Sequence, residues 1–119
     1  MARRHRYVVA LGSNIGDPRR GAPRAVVAAA LRALDRHGLR LKAASPIIES
    51  APVGPSRRRF ANAAAIVATR RTPDRLLARL HKIERRFGRG RAQRRGQRWR
   101  ARVLDLDIVL WDKGSWHSP

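Results

Sequence analysis

Residues 102–110 read RVLDLDIVL, a run in which apolar and acidic side chains alternate. Successive side chains of a β-strand point to opposite faces, so this alternation predicts a strand. Asp105 and Asp107 then share one face. The residues of the other face are Leu104, Leu106, Ile108 and Leu110. The run therefore predicts a sheet that is apolar on one side and carries two neighbouring carboxylates on the other.

The spacing of the two carboxylates suits a hard divalent cation. Magnesium is typically bound through one or two carboxylates together with water and substrate phosphates. Residues 88–102, directly before the strand, contain seven arginines. One interpretation is a site for a metal-bound nucleotide. The other is a solvated strand face whose aspartates only balance nearby arginines, and the spacing alone does not decide between them.

The length of 119 residues predicts a single domain that spans residues 1–119. The chain has no cysteine, which excludes disulfides, thiolate metal sites and cysteine nucleophiles. No segment approaches the roughly 20 apolar residues of a membrane span, and the apolar run at residues 7–11 is too short for the core of a signal peptide. We therefore expect a soluble, cytoplasmic protein without membrane contact, and a monomer.

The charge is strongly unbalanced, because 28 Lys and Arg residues face 8 Asp and Glu residues, giving a formal net charge of +20. Such a chain attracts phosphate-bearing ligands and is expected to bind nucleic acid nonspecifically at low salt. Almost all the basic residues are arginines, a bias that is also typical of a genome that favours arginine codons. The charge alone is thus weak evidence for function.

The first half of the chain shows alternating strand and helix patterns. Residues 7–11 predict a first strand that ends at the loop residue Gly12. Apolar residues then recur at helical spacing from Pro23 until Gly38, which is placed as a C-terminal cap. From Leu39 to Ile48 the pattern is extended, with Pro46 marking an edge or a bulge, and predicts a second strand.

The second half repeats the pattern. Residues 60–69 suit either a helix or a strand, and we assign a third strand because a better helix starts just afterwards. That helix has Thr72 as its N-cap, Pro73 in its first position and Gly88 at its end. With the aspartate strand, the order is β-α-β-β-α-β. It predicts an α+β, ferredoxin-like fold, an antiparallel sheet covered on one face by two helices, which hosts many unrelated functions.

Four motifs carry a more specific signal. They are LGSNIGD at residues 11–17, APVGP at 51–55 followed by Phe60-Ala61-Asn62, Glu84 followed by Gly88-Arg89 and Arg91, and Trp99 followed by the RVLDLD of residues 102–107. In order and spacing they resemble the 6-hydroxymethyl-7,8-dihydropterin pyrophosphokinase family, from Tyr7 to about Trp111. The resemblance implies a ferredoxin-like core and an enzyme of folate biosynthesis. It implies ATP as co-substrate, two magnesium ions, and transfer of pyrophosphate to the pterin hydroxymethyl group with release of AMP.

The resemblance also implies roles on the nucleotide side. Asp105 and Asp107 would hold the two magnesium ions. Three arginines would contact phosphates, with Arg89 and Arg102 in catalysis and Arg91 in nucleotide binding. Two further residues match the family near its nucleotide site, Glu84 and Trp99, although Glu84 also fits an ordinary helix-surface charge and Trp99 a packing residue. The remaining arginines of this region, Arg85, Arg86, Arg94, Arg95, Arg98 and Arg100, have no match and are interpreted as solvated.

On the pterin side, the resemblance implies that Phe60 stacks on the heterocycle and that Asn62 hydrogen-bonds to its edge. Backbone groups from Ser50 to Val53 would complete this recognition. A planar ring with amide-like edges suits an aromatic face beside a side-chain amide. The alternative for Phe60 is a core aromatic at the head of a strand. Gly12 and Asn14 are interpreted as loop residues that shape the pocket.

The chain also departs from the family pattern. It has Trp99-Arg100-Ala101-Arg102 where the family normally has Trp-Gly-Pro-Arg. The family continues into a Val-Pro-His segment with a site histidine and a second stacking aromatic, and His117 does not align with that histidine. We therefore expect a family domain that is incomplete at its C-terminus and turns over poorly. The alternative is a basic ferredoxin-like RNA-binding module. The sequence argues against a serine hydrolase, because its serines lack a nucleophile-elbow context.

Overall fold

The computed structural model describes residues 4–16, 20–50, 60–88, 103–112 and 114–115. The strands in this part of the chain are β1 (His5–Ser13), β2 (Arg40–Ala44), β3 (Ile48–Ser50), β4 (Phe60–Thr69), β5 (Asp105–Trp111) and β6 (Gly114–Ser115). The helices are α1 (Pro23–Ala33) and α2 (Pro73–Arg86).

The strands form one sheet in the order β2-β4-β1-β5-β6, and β3 also pairs with β4. All the pairings between neighbouring strands are antiparallel. The connections β1-α1-β2 and β4-α2-β5 give the split arrangement that the sequence predicts, so the ferredoxin-like α+β fold is confirmed.

The core lies between one face of the sheet and both helices. Alternate residues of β1 point into it, namely Tyr7, Val9 and Leu11, all at most 2% exposed. The helices contribute Val26, Val27, Ala30, Leu76, Leu80 and Ile83 to the same cluster. We call the other side of the sheet the open face. Its described residues include Val8, Ala10, Gly12, Asn62, Ala64, Ile66, Asp105, Asp107 and Leu110.

The prediction that the first strand ends at Leu11 is wrong. Gly12 and Ser13 continue β1, because β4 pairs with both residues and β5 also reaches Gly12. Hydrogen-bonded partners on both sides offset the low strand propensity of glycine. Gly12 is consequently a strand residue, not a loop residue, and its position in the sheet is fixed.

The first helix is shorter than predicted. It ends at Ala33 and does not extend to Gly38. The N–H of Leu34 bonds to the carbonyls of both Ala30 and Leu31, a tightening that is common in a last helical turn. Gly38 instead has a φ of +84° in the turn before β2, where a left-handed conformation favours glycine.

The predicted second strand is divided into β2 and β3. Ser45 still pairs with Ala64, since its N–H donates to the Ala64 carbonyl at 2.8 Å and its hydroxyl accepts from the Ala64 N–H at 2.9 Å. Pro46 has no N–H to continue the ladder, so pairing with β4 resumes only at Ile48.

The prediction of the second helix is confirmed. Thr72 takes the N-cap position and Pro73 the first helical turn, while Gly88 follows the helix with a φ of +84°. The Thr72 hydroxyl donates to the Asp74 carboxylate at 2.6 Å instead of capping a backbone group.

The aspartate strand is confirmed at residues 105–111, but Leu110 lies on the opposite face from the one predicted. A register shift inserts Val109 between the pairs Val9–Ile108 and Val8–Leu110. This bulge reverses the alternation, so Leu110 is 49% exposed on the open face while Trp111 turns inward and stacks on Tyr7. In the described part of the chain, neither helix is long and apolar enough to cross a membrane.

Candidate functional site

The open face carries a cluster of predicted site residues where β1, β4 and β5 lie side by side. The register pairs Gly12 of the central strand β1 with Asn62 on one side and with Asp105 on the other. Paired residues of neighbouring strands point to the same face, so the amide and the carboxylate flank a position that has no side chain. The three-strand register thus brings together residues from three of the sequence motifs.

A pocket of about 180 Å³ opens at this point. It is lined by Gly12, Ser13, Asn14, Phe60, Asn62 and Asp105. The predicted residues Phe60, Asn62 and Asp105 therefore share one cavity, although 45 positions separate Phe60 from Asp105 in the chain. Phe60 is half-buried on the open face, which places its ring at the pocket and not in the core.

A side chain of the neighbouring strand approaches the Gly12 backbone closely. A Cβ atom built on Gly12 would lie 3.0 Å from the Asn62 Oδ1 atom, which is tighter than an ordinary van der Waals contact. The Asn62 amide therefore lies directly over the Gly12 backbone. Since Gly12 has a φ outside the left-handed region, space and not backbone freedom explains the glycine.

Asp107 lies one strand pair further along the open face, where Ala10 is its partner on β1. Asp105 and Asp107 are both exposed and project to the same side, as the sequence predicts. Within the described residues, no group of three or more His, Cys, Asp or Glu side chains could hold a metal by itself. Two carboxylates with substrate phosphates are, however, a donor set that fits magnesium.

Glu84 lies beneath this cluster, on the helical side of the sheet. It is only 2% exposed, so the interpretation of Glu84 as a helix-surface charge is wrong. Its Oε2 accepts a hydrogen bond of 2.7 Å from the backbone N–H of Leu106, the residue between the two aspartates. Glu84 thereby fixes β5 to α2 at the point where the carboxylates project from the other side. Its predicted contact with a nucleotide stays untested.

Ser50 ends β3 and pairs with Phe60 at the start of β4. Both residues belong to the predicted pterin side, and the pairing places the exposed Ser50 next to the half-buried ring. Five residues named by the resemblance lie outside the described residues, namely Val53, Arg89, Arg91, Trp99 and Arg102, and so does His117.

One pocket residue, Ser13, was missed as an individual site residue by the sequence reasoning. Ser13 is 3% exposed and its hydroxyl donates to the Ile15 carbonyl at 3.0 Å, which shapes the chain directly after β1. Ser13 and Asn14 lie close to Gly16, which is a turn signal, but this signal does not show that the Ser13 side chain lines a pocket.

Comparison with known proteins agrees with the motifs. The family model described as 7,8-dihydro-6-hydroxymethylpterin-pyrophosphokinase (HPPK) matches residues 8–118. The 2-amino-4-hydroxy-6-hydroxymethyldihydropteridine pyrophosphokinase of Pseudomonas aeruginosa is 43% identical over 108 residues, which cover 89% of this chain and 61% of that protein. The protein of the same name from Haemophilus influenzae is 36% identical over 105 residues, covering 87% of this chain and 60% of the relative.

A plant relative shows the same similarity within a longer protein. The mitochondrial folate synthesis bifunctional protein of Arabidopsis thaliana is 39% identical over 110 residues, which are 92% of this chain and 18% of that protein. The chain thus spans less than two thirds of the length of these three relatives.

The alternative prediction of an RNA-binding module finds no support. RNA readers of this topology stack bases on several sheet aromatics, whereas Phe60 is the aromatic that the described part of the open face presents. Both the motifs and the matched residues extend over nearly the whole sequence. The chain therefore belongs to the 7,8-dihydro-6-hydroxymethylpterin-pyrophosphokinase family.

Proposed function

We propose that this chain carries the catalytic face of an enzyme that transfers a diphosphoryl group from ATP to 6-hydroxymethyl-7,8-dihydropterin and releases AMP. The hydroxymethyl oxygen attacks the β-phosphorus of ATP. The bond from that phosphorus to the oxygen bridging the α- and β-phosphates breaks, AMP leaves with that oxygen, and the hydroxyl proton is lost. A cytoplasmic location and a monomeric state remain predictions for this protein.

One observation carries the proposal most strongly. The structure places an aromatic ring, a side-chain amide and a carboxylate around one pocket on the open face, with a second carboxylate beside it. The family members are named for a pterin substrate and a pyrophosphoryl transfer, and these groups suit those two ligands. The ring and amide suit a flat heterocycle, whereas the carboxylates suit a metal-bound triphosphate.

On the pterin side, Phe60 would stack on the heterocycle and the Asn62 amide would bond to its edge. An amide offers both a donor and an acceptor, which matches the alternating groups of a pterin edge. Because Asn62 and Asp105 flank Gly12 on the open face, a pterin bonded to Asn62 would lie within one strand of the nearest carboxylate. The main contribution of these residues would be orientation of the attacking oxygen.

On the nucleotide side, Asp105 and Asp107 would hold magnesium, which supplies charge neutralisation and alignment of the triphosphate when it is bound. Both side chains project from one strand that is fixed from below by Glu84, so their spacing is set by the sheet. Arg89, Arg91 and Arg102 are proposed to contact the phosphates through their planar guanidinium groups, and Trp99 to border the nucleotide.

The test is pterin-dependent formation of AMP. The purified chain is incubated with MgATP and 6-hydroxymethyl-7,8-dihydropterin, and AMP is measured under single-turnover conditions, so that slow catalysis is still detected. We expect AMP only when the pterin is present, and none from the double variant Asp105→Asn/Asp107→Asn.

A matched control is Asp74→Asn, which also removes one exposed carboxylate but lies at the start of α2, outside the pocket. This variant is expected to retain the activity of the unaltered chain. Pterin-dependent AMP that does not exceed the background of the double aspartate variant would contradict the proposed function.

A further inference from the structure

A second cluster of charge lies on the helical side of the molecule, away from the pocket of the open face. A groove of about 250 Å³ runs between α1 and α2. The basic residues that line it are Arg20, Arg32, Arg36, His37, Arg79 and Arg86. Its apolar lining consists of Ala29, Ala33, Ile83 and Phe87. No residue lines both this groove and the pocket of the open face.

The basic side chains of the groove come from both helices and from the turn that follows α1. Arg32 lies in the last turn of α1, and Arg36 lies in the turn after this helix. On α2, Arg79 and Arg86 are seven positions apart, two turns along the same face. The small side chains of α1 leave the groove open between these two basic rows.

One wall of the groove is braced by an aromatic contact. The guanidinium carbon of Arg20 lies 3.9 Å from the centroid of the Phe87 ring, at the C-terminal end of α2. Stacking on a ring holds a guanidinium without using its hydrogen-bond donors. Arg20 thus connects the segment before α1 to the end of α2 at the mouth of the groove.

Four of the groove's positive charges, those of Arg32, Arg36, Arg79 and Arg86, are not balanced within the described residues. There, no carboxylate forms an ion pair with Arg32, Arg36, Arg79 or Arg86. The Nε atom of Arg79 is buried and has no hydrogen-bond partner in that part of the chain. An unsatisfied buried donor and several like charges are both unfavourable, so an anion placed between the helices would relieve them together.

The acid-base behaviour of the lining agrees with this geometry. The charge of Arg79, above all, lowers the pKa of His37, and burial and the charges of Arg86, Arg36 and Arg71 act in the same direction. Burial, followed by the charges of Arg86 and Arg71, lowers the pKa of Arg79 itself. The groove is thus a region where added positive charge is disfavoured.

We propose that the groove between α1 and α2 is a binding site for a small polyphosphate anion, separate from the pocket of the open face. The guanidinium groups of Arg32, Arg36, Arg79 and Arg86 would surround the anion, each able to donate two hydrogen bonds to phosphate oxygens. The bounded groove favours a chain of two or three phosphates over an extended nucleic acid. This inference does not depend on the proposed function.

The experiment titrates inorganic triphosphate into the chain by isothermal calorimetry. Magnesium is left out and a chelator is added, because the proposed aspartate site would bind phosphates only through a metal ion. Sodium chloride at matched ionic strength is the reference. The groove variant is Arg36→Gln/Arg79→Gln. The control variant Lys82→Gln/Arg85→Gln removes the same charge from exposed positions of α2 that do not line the groove. Thermal unfolding without anion checks that both variants are folded.

We expect one triphosphate per chain, at least about tenfold weaker binding to the groove variant, and a change within about twofold for the control variant. The double variant Asp105→Asn/Asp107→Asn should bind as the unaltered chain does. Equal weakening in the groove and control variants would show a general charge effect and overturn the site. A triphosphate signal no stronger than that of sodium chloride at matched ionic strength would also overturn the site. The same holds if an oligonucleotide binds in a groove-dependent way and triphosphate does not.

Discussion

Gly12 shows how a single missing side chain builds the pterin side of the proposed site. Its backbone lies under the Asn62 amide, with only 3.0 Å between the Asn62 Oδ1 atom and the place where a Cβ would be. The same residue is paired with Asp105 on its other side. Gly12 therefore separates the amide from the nearest carboxylate without placing a side chain between them.

Gly12→Ala is expected to move Asn62 by a few tenths of an ångström and to raise the KM for the pterin by up to about tenfold, because small misplacements of binding groups are costly. Stability should change little, since Gly12 does not have a left-handed backbone. Steady-state kinetics with the pterin varied checks the effect. In an Asn62→Ala background the clash is gone, so Gly12→Ala should not raise the KM for the pterin any further. An equal rise of KM in both backgrounds would refute this account.

Asp105 and Asp107 have different neighbours on the open face. Asp105 borders the pocket, whereas Asp107 lies beside Ala10, further along β5. If both hold metal, Asp105→Asn and Asp107→Asn should each abolish turnover and each weaken Mn²⁺ binding in the presence of ATP. Electron paramagnetic resonance of Mn²⁺ measures the second effect directly. A single variant with unaltered Mn²⁺ binding would remove that residue from the metal site.

At the scale of elements, the contact between α2 and β5 determines how the carboxylates are presented. Glu84 projects from the buried side of α2 and accepts the Leu106 N–H at 2.7 Å. Leu106 itself is 3% exposed, with an aspartate on either side in the sequence. The helix therefore fixes the middle of the segment from which both aspartates project.

Glu84→Ala should destabilise the fold by about 1 to 3 kcal/mol, because it leaves the buried Leu106 N–H without its acceptor. Glu84→Gln retains an acceptor oxygen and should cost less. Urea unfolding measures both changes. Arg85→Ala, at an exposed position next in the chain, is the reference and should stay within about 0.5 kcal/mol of the unaltered chain. If Glu84→Ala is as stable as Arg85→Ala, the contact does not hold β5 in place.

The elements also show what the sequence can and cannot predict. The alternation of residues in β5 predicts Asp105 and Asp107 on one face, and Thr72, Pro73 and Gly88 predict where α2 begins and ends. Both features can be predicted because their signals are local in the sequence. The faces of Leu110 and Trp111 depend instead on the bulge opposite Val8 and Val9, which is a property of the paired strands. The alternative of Glu84 as a helix-surface charge is wrong for the same reason, since its acceptor role depends on a backbone N–H 22 positions away.

At the scale of the whole molecule, the sheet separates two chemistries. The open face carries the carboxylates and the pocket, and the helical side carries the arginine-lined groove. At the opposite end of β1 from the pocket, Tyr7 joins several elements. Its hydroxyl donates to the Arg71 carbonyl before α2 at 2.6 Å, and its ring stacks on Trp111 of β5 at 5.7 Å.

Global stability should depend on this tyrosine at alkaline pH. Burial, above all, and the charges of Asp112 and Asp74 raise the pKa of Tyr7 to about 12. Because the pKa is about 10 in an unfolded chain, the stabilisation is complete below pH 10 and is lost as the pH rises toward 12. The loss should be on the order of 2 kcal/mol.

Tyr7→Phe lacks the ionisable group, so the stability difference between the two proteins should shrink between pH 10 and 12. Urea unfolding at successive pH values measures it. Tyr7 is the chain's only tyrosine, so the ultraviolet absorbance of tyrosinate reports its ionisation separately. A stability difference that stays constant over this range would mean that the Tyr7 hydroxyl does not tie these elements together.

The most direct test of the central claim is a crystal structure of the chain with magnesium and a non-hydrolysable ATP analogue. The account predicts magnesium with an oxygen of Asp105 and an oxygen of Asp107 among its ligands, at about 2.1 Å, and the triphosphate on the open face. A bound metal–nucleotide complex from which both carboxylates point away would contradict it.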